Sequence, residues 1–307
     1  MKLTNNFNLP APVVNALSED SYDKGDSHRS VTQLIDSPQI SILRRKHDSE
    51  LTEDVSKRLW SVLGTAVHNM FENAVSPEDN AHLIVEKRYE YKHPDGWTLS
   101  GAVDLTQINS EDGSVTLVDY KCTSVWSVIF EKQEWHNQLN AYAWLIRKGY
   151  GEAQGFNINQ LQIIAVLRDW KENDLKRNGG NYPEAPIVVI DIPVWTDEKQ
   201  DEYMEGRVKL HADAEYAYLT GQTLPPCSEK EQWAKPTKYA VHKGAAKRAT
   251  RVFDTEREAK EFAMKEMALN VQRRAGDKTR CTANWCAVNE WCDQYQVELD
   301  CKRGAAE

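Results

Sequence analysis

Apolar positions along the chain change period several times. After Ser30-Val-Thr32, where either hydroxyl can cap a helix, Leu34, Ile35, Ile40 and Leu43 follow at helical spacing. A second helix, about 53–74, carries Leu59, Trp60, Leu63, Val67, Met70 and Phe71 on one side and brings His68 with it. The period then drops to two, predicting strands at about 82–92, 97–107 and 115–122. Helical spacing returns in Trp135–Leu145 and runs to about Lys148. Within the next strand, 159–169, Leu161–Leu167 is apolar nearly throughout, as a central strand covered on both faces should be. Residues 173–186 read as a polar loop with Gly179-Gly180, 186–193 as a strand, and 196–218 as a charged amphipathic helix. Residues 1–28 are polar and weakly periodic, a flexible tail. The pattern predicts an α/β core at 29–222, a mixed sheet flanked by helices, with an appended region at 223–307.

The chemistry concentrates in one predicted hairpin. Asp104 in Gly101-Ala-Val-Asp104 and Asp119 in Val118-Asp119-Tyr120-Lys121 lie on strands joined through Ser110-Glu111-Asp112-Gly113-Ser114. Asp-Gly favours a two-residue type I′ turn, which sets Asp104 across from Lys121 and diagonal to Asp119. Residues two apart on a strand point the same way, so the two acids and the lysine share a face. Diagonal Cβ atoms lie roughly 7–8 Å apart, a gap that two carboxylates can span to one cation. Hard oxygen donors beside an amine suit Mg²⁺ or Mn²⁺ and phosphodiester hydrolysis. The competing reading is a hairpin with solvated cross-strand charge pairs.

Two helices add to the picture. His68 and Glu72 lie four apart in Gly64-Thr-Ala-Val-His68-Asn-Met-Phe-Glu72, as do Gln138 and Tyr142 in Gln138-Leu-Asn-Ala-Tyr142. Glu86 and Glu90, on the strand before the hairpin, read as ordinary solvated carboxylates. GTAVH, GAVD, VDYK and QLNAY, in this order, resemble the PD-(D/E)XK nuclease superfamily in its RecB-type branch of phage and CRISPR-associated exonucleases. The resemblance spans roughly residues 30–168. It implies a restriction-endonuclease-like fold, His68, Asp104 and Asp119 as metal ligands, Lys121 as the catalytic lysine, and Gln138 and Tyr142 lining the site. It further implies a DNA substrate, a role in phage or prophage recombination, and a recombination partner protein. A structure-specific or restriction-type endonuclease, and a DNA-binding module without turnover, remain open beside the exonuclease reading.

Composition adjusts this in three ways. The 307 residues carry a net charge of −9, but Lys235–Arg251 holds six basic and no acidic residues. Lys243, Lys247, Arg248 and Arg251 are therefore candidate DNA-phosphate contacts, with Trp233 and Tyr239 available to stack on bases. No apolar run reaches the ~18 residues of a membrane span, and Met1–Pro12 lacks a signal-peptide pattern. A cytoplasmic protein, in the bacterial host cell if phage-encoded, is expected.

Six cysteines without a secretory signal point to reduced thiols. Cys281, Cys286 and Cys292 are closely spaced, Cys227 is available as a fourth ligand, Cys301 lies beyond, and Cys122 reads as core. Four thiolates suit Zn²⁺ or a [4Fe-4S] cluster, and buried free thiols are the alternative. Some RecB-type nucleases carry a cluster on one distant and three C-terminal cysteines, which this set resembles. Here, however, the distant cysteine follows the nuclease motifs, and the close ones have four and five residues between them.

Overall fold

The computed structural model describes residues 1–19, 27–76, 82–151, 156–265 and 268–304. The chain opens with β1 (Lys2–Thr4), α1 (Ala11–Ser18), β2 (Arg29–Ser30), α2 (Val31–Ile35), α3 (Pro38–Lys46), β3 (Thr52–Asp54) and α4 (Leu59–Glu72). Then come β4 (Leu83–Lys92), β5 (Thr98–Ile108), β6 (Ser114–Thr123), α5 (Val125–Ile129), α6 (Gln133–Leu145), β7 (Asn157–Leu167), α7 (Glu172–Asn178), β8 (Ile187–Ile192) and α8 (Asp197–Leu219).

Capping chemistry explains how the first helices divide. Ser30 and Gln33 form a reciprocal capping box at the start of α2, and Ser37 accepts the Ile40 N–H at the start of α3. The expected single helix through Leu34–Leu43 breaks at Asp36, in extended backbone, because Pro38 disfavours a helical conformation for Ser37. Arg207 and His211 of α8 donate to the Leu34 and Asp36 carbonyls that this break exposes. The helix expected from 53 begins only at Leu59, after β3 and a 3₁₀ turn, where Asp54 accepts the Ser56 N–H at 3.0 Å.

Two further expectations are corrected. The supposed tail contains β1, which pairs in parallel with β3, and α1; its residues 20–26 lie outside the described residues. The supposed loop at 173–186 contains α7 and a 3₁₀ turn at Gly179–Asn181.

The central sheet runs β2-β5-β6-β7-β8, with β4 on the remaining edge of β5. β6 and β7 are parallel, and β4-β5, β5-β6 and β7-β8 are antiparallel. β7 is central as expected: Leu161, Ile163, Ala165 and Leu167 are buried, while the residues between them are half-buried. α6 covers the sheet with Trp135, Leu139, Tyr142 and Trp144 in the main core, and Trp144 Nε1 donates to Asp201 at 2.9 Å. This is the mixed α/β sheet flanked by helices that the motifs implied.

The chain forms two compact units, Met1–Asp36 with Thr52–Asp213, and Ser37–Leu51 with Ala214–Glu307. The sequence reading set the change at 222/223; the units change within α8, and α3 groups with the C-terminal residues. The second unit contains β9 (Ala234–Lys235), β10 (Lys238–Lys243), β11 (Arg251–Phe253), α9 (Glu256–Ala263), β12 (Leu269–Arg274), β13 (Asp277–Lys278), α10 (Thr279–Thr282) and α11 (Asp293–Gly304). β10 pairs with β11 and β12 in an antiparallel sheet. Among the described residues no helix is long and apolar enough to cross a membrane.

Candidate active site

The site lies where two strands part. β6 pairs with β5 only through Leu105–Ile108, and β2 meets the same edge of β5 only at Leu99 and Ser100. Between these contacts Gly101–Asp104 have no strand partner on that edge among the described residues, while Asp119–Thr123 pair onward with β7. In the wedge Asp104 Oδ2 accepts the Tyr120 N–H at 2.6 Å, so a carboxylate takes the place of a ladder carbonyl. The pleat also breaks here. Val103 packs into the main core while Leu105 joins Val118 and Tyr120 in a separate cluster, and Glu86 on β4 has φ +46°.

The hairpin register differs from the expected one by two residues. Leu105 faces Val118, where the expected turn would have set it opposite Tyr120. The turn holds four residues, not two: Asn109 N–H donates to Ser114 O at 2.8 Å, Gly113 N–H to Asn109 O at 2.9 Å, and Asp112 Oδ1 accepts Ser114 N–H at 2.9 Å. Gly113 has φ +69°, which glycine adopts without penalty. An even shift preserves the side of the sheet each residue faces.

His68 Nδ1 lies 3.4 Å from Asp104 Oδ2 and 3.9 Å from Glu86 Oε1, and the three ligand atoms fall within 4.8 Å of one another. Ligands about 2.1 Å from an octahedral ion are separated by about 3.0–4.2 Å, so the cluster fits a divalent cation with small adjustments. Asp119 is held differently. Its Oδ1 accepts Gln138 Nε2 at 2.9 Å, and its Oδ2 pairs with the Lys121 ammonium but has no directed hydrogen bond. Gln138 Nε2 also donates to the Tyr142 hydroxyl at 3.0 Å, and Gly101 leaves room for the Tyr142 ring: a Cβ there would sit 2.7 Å from Tyr142 Cε1. Gln138 and Tyr142 are both buried; Gln138 holds Asp119 directly, and Tyr142 reaches it only through Gln138.

The electrostatics favour positive charge in the cluster. Burial alone would lower the pKa of His68, yet Asp104 and Glu86 overcome it and push it up to about 10. Complete burial pushes Asp119 up to about 6 against the pull of Lys121, with Asp104 adding to the rise. A divalent ion between these groups would relieve the crowding of negative charge.

His68, Glu86, Arg88, Asp104, Gly101 and Tyr142 line a cleft of about 290 Å³ with Ser30 and Thr32. Glu86 was set aside in the sequence and Arg88 passed unnoticed; Glu86-x-Arg88 on one strand was the available signal. Glu90 is exposed and outside the cluster.

The remaining candidates lie in the second unit. Lys243, Lys247, Arg248 and Arg251 are exposed along the β10-β11 hairpin, and Arg273 and Arg274 on neighbouring β12 extend the basic surface. Tyr239 is half-buried, and Trp233 lies under the Arg280 guanidinium at 5.3 Å. Cys227, Cys281, Cys286 and Cys292 line one small cavity of about 10 Å³, and Cys227 Sγ sits 3.1 Å from both Ser37 Oγ and Gln39. Burial pushes the Cys227 thiol up to about 12 and raises Cys281 and Cys292 as well. Among the described residues no three of these sulfurs lie within 4.8 Å of one another, wider than the ~3.8 Å spacing of a tetrahedral zinc site. Cys286 and Cys292 pack instead with Ile40, Leu43, Leu51 and Val288.

Two acids and a lysine thus stand where two strands part, with a helical glutamine on Asp119. The chain belongs to the PD-(D/E)XK nuclease superfamily, whose family model matches residues 76–293. No curated protein shows significant similarity to it. Among solved structures, the crystal structure of SSO0001 aligns with a TM-score of 0.42 at 16% identity, covering 64% of this chain and 84% of that chain, too loose a match to inform fold or function.

Proposed function

We propose that the chain is an Mg²⁺- or Mn²⁺-dependent deoxyribonuclease acting as an exonuclease, with a role in phage or prophage recombination alongside a partner protein. The observation that carries the reading is the convergence of His68, Glu86 and Asp104 beside the Asp119–Lys121 pair at the wedge. The exonuclease and recombination parts rest on the order of the four motifs.

Asp104, Asp119, His68 and Glu86 would hold the metal. When bound, it supplies neutralisation of phosphoryl charge and a more acidic water. Lys121, with its side chain 25% exposed beside Asp119, presents an ammonium where a phosphate gathers negative charge. Gln138 holds the Asp119 carboxylate in one orientation, and Arg88 adds a second cation to the cleft wall.

End-labelled linear DNA and covalently closed circular DNA, each with Mg²⁺ or Mn²⁺, test the reading. Linear DNA is degraded from its ends and the circle persists; Lys121→Ala removes activity. Cleavage of the circle would make it an endonuclease, and metal-dependent binding without turnover would make it a silent module.

The basic β10-β11 hairpin is part of the proposal as a phosphate-binding surface. Replacing Lys243, Lys247 and Arg248 with Ala should flatten the dependence of log K on log salt by about 2–3, at roughly 0.9 per lost contact. An unchanged slope counts against it.

The expected second metal centre, a [4Fe-4S] cluster or Zn²⁺, rests only on four cysteines lining one cavity of about 10 Å³. Anaerobically purified protein then carries a broad visible absorbance and about four irons per chain. Colourless, metal-free protein leaves the set as packed thiols.

A further inference from the structure

α5 begins four residues after Lys121 and exposes two large rings. Trp126 is 61% and Phe130 74% exposed, and their rings stack on each other at 15° with centroids 5.8 Å apart. Large aromatics ordinarily serve the core, so a stacked pair left in water is a feature to explain. The helix is also fixed in place. Asp169 Oδ1 accepts the Val125 N–H at 2.7 Å, and Arg168 N–H donates to Thr123 O at 3.0 Å, which binds α5 to the ends of β6 and β7 just beyond Lys121.

A second exposed ring is tied to the same place. Trp60, 52% exposed, lies under the Arg168 guanidinium at 4.6 Å. It stands on α4, two turns or about 12 Å along the axis from His68. No residue of α4 is buried, although Leu59, Leu63 and Met70 lie along it. Both helices that border the acid–lysine cluster therefore present flat apolar rings, one of them backed by a cation.

We propose that Trp126 and Phe130, with Trp60 and Arg168 as a second step, form a stacking platform for unpaired bases of the DNA strand whose phosphate enters the wedge. The proposal rests on the nuclease reading above and adds a substrate class to it: single-stranded DNA or the frayed end of a duplex. A ring face accepts any base, so the platform holds the strand without reading its sequence, while the adjoining guanidinium favours the phosphate backbone. A base lying on the pair also covers the apolar area that the fold leaves open.

The test uses the full chain carrying Lys121→Ala, so that the strand is bound and not cut. A single-stranded oligonucleotide with 2-aminopurine beside the 5′ or the 3′ end reports stacking by loss of fluorescence, and a blunt duplex of the same sequence is the comparison. Adding Trp126→Ala and Phe130→Ala should weaken single-strand binding by roughly 5- to 150-fold per lost base contact and restore the fluorescence, with duplex affinity little changed. Trp126→Leu with Phe130→Leu keeps apolar bulk without the rings and should behave like the alanine pair, whereas Trp126→Tyr with Phe130→Tyr should retain binding. Unchanged single-strand affinity and quenching in the alanine and leucine variants would overturn the platform. So would equal losses for both substrates, or an oligomer of the parent chain that dissociates when the rings are removed, which would assign the patch to a second copy. If neither the Lys121→Ala parent nor the unsubstituted chain without divalent metal binds either substrate, the nuclease reading fails and the platform with it; if the parent binds and the rings do not matter, the platform alone fails.

Discussion

Replacing Asp104 with Asn is expected to lower metal-dependent cleavage of linear DNA at least about a thousandfold while leaving the melting temperature nearly unchanged. Asp104 does two jobs with one oxygen: Oδ2 accepts the Tyr120 N–H at 2.6 Å and faces His68 Nδ1 at 3.4 Å. An asparagine carbonyl still takes the Tyr120 N–H, so the wedge between β5 and β6 keeps its shape. What disappears is the negative charge that would help to grip a divalent ion. Three decades of rate correspond to about 4 kcal/mol of transition-state stabilisation, within the several kcal/mol that a correctly held metal supplies. Asp104→Ala separates the two jobs, because it also leaves the buried Tyr120 N–H without an acceptor and so costs about 1–3 kcal/mol of stability. Activity with Mg²⁺ and Mn²⁺, read beside thermal melting of both variants, checks this. Near-normal cleavage by the Asn variant would remove Asp104 from the metal site.

Much of this centre was legible before any coordinates, because period-two strands around a Gly-containing turn force Asp104, Asp119 and Lys121 into proximity. The details that failed depend on geometry that spacing does not encode. Asp112-Gly113 suggests a two-residue turn, but the Asp112 side chain caps Ser114, and Ser114 pairs with Asn109 instead of Glu111, two residues further back toward β5. The register shift is even, so by itself it left Asp104, Asp119 and Lys121 on one side, and they meet although the expected pairing does not form. Glu86 reads in the sequence as an ordinary solvated strand carboxylate; its place in the cluster comes with a left-handed backbone and a break in the pleat, neither visible in a run of alternating residues. Gln138 and Tyr142 read as lining the site at i, i+4 spacing; Tyr142 does line the cleft, while the Gln138 amide is turned onto Asp119. The cysteines show the opposite limit: spacing said that the thiols could meet, and only the fold shows that they wall one cavity without closing to zinc distances.

The least conspicuous residue of the wedge carries the second large expectation. Gly101→Ala should destabilise the nuclease core by about 1–3 kcal/mol, as overpacking does, and lower activity by roughly 10- to 100-fold, as loss of a ligand's supporting contacts does. The added methyl would stand 2.7 and 2.8 Å from two carbons of the Tyr142 ring and 3.2 Å from Val31 Cγ2. Tyr142 is only 4% exposed and packs in the main core, so the ring cannot simply swing aside. Its hydroxyl accepts from Gln138, and Gln138 holds Asp119 Oδ1, so displacement of the ring reaches the carboxylate through two hydrogen bonds. Tyr142→Phe isolates that path, because it keeps the packing and deletes the hydroxyl; it should reduce activity with little loss of melting temperature. Combining Gly101→Ala with Tyr142→Leu makes room for the methyl and should recover part of the stability without recovering cleavage. An alanine at position 101 that changed neither melting nor rate would mean that the ring is free to move and that Asp119 is oriented by Lys121 alone.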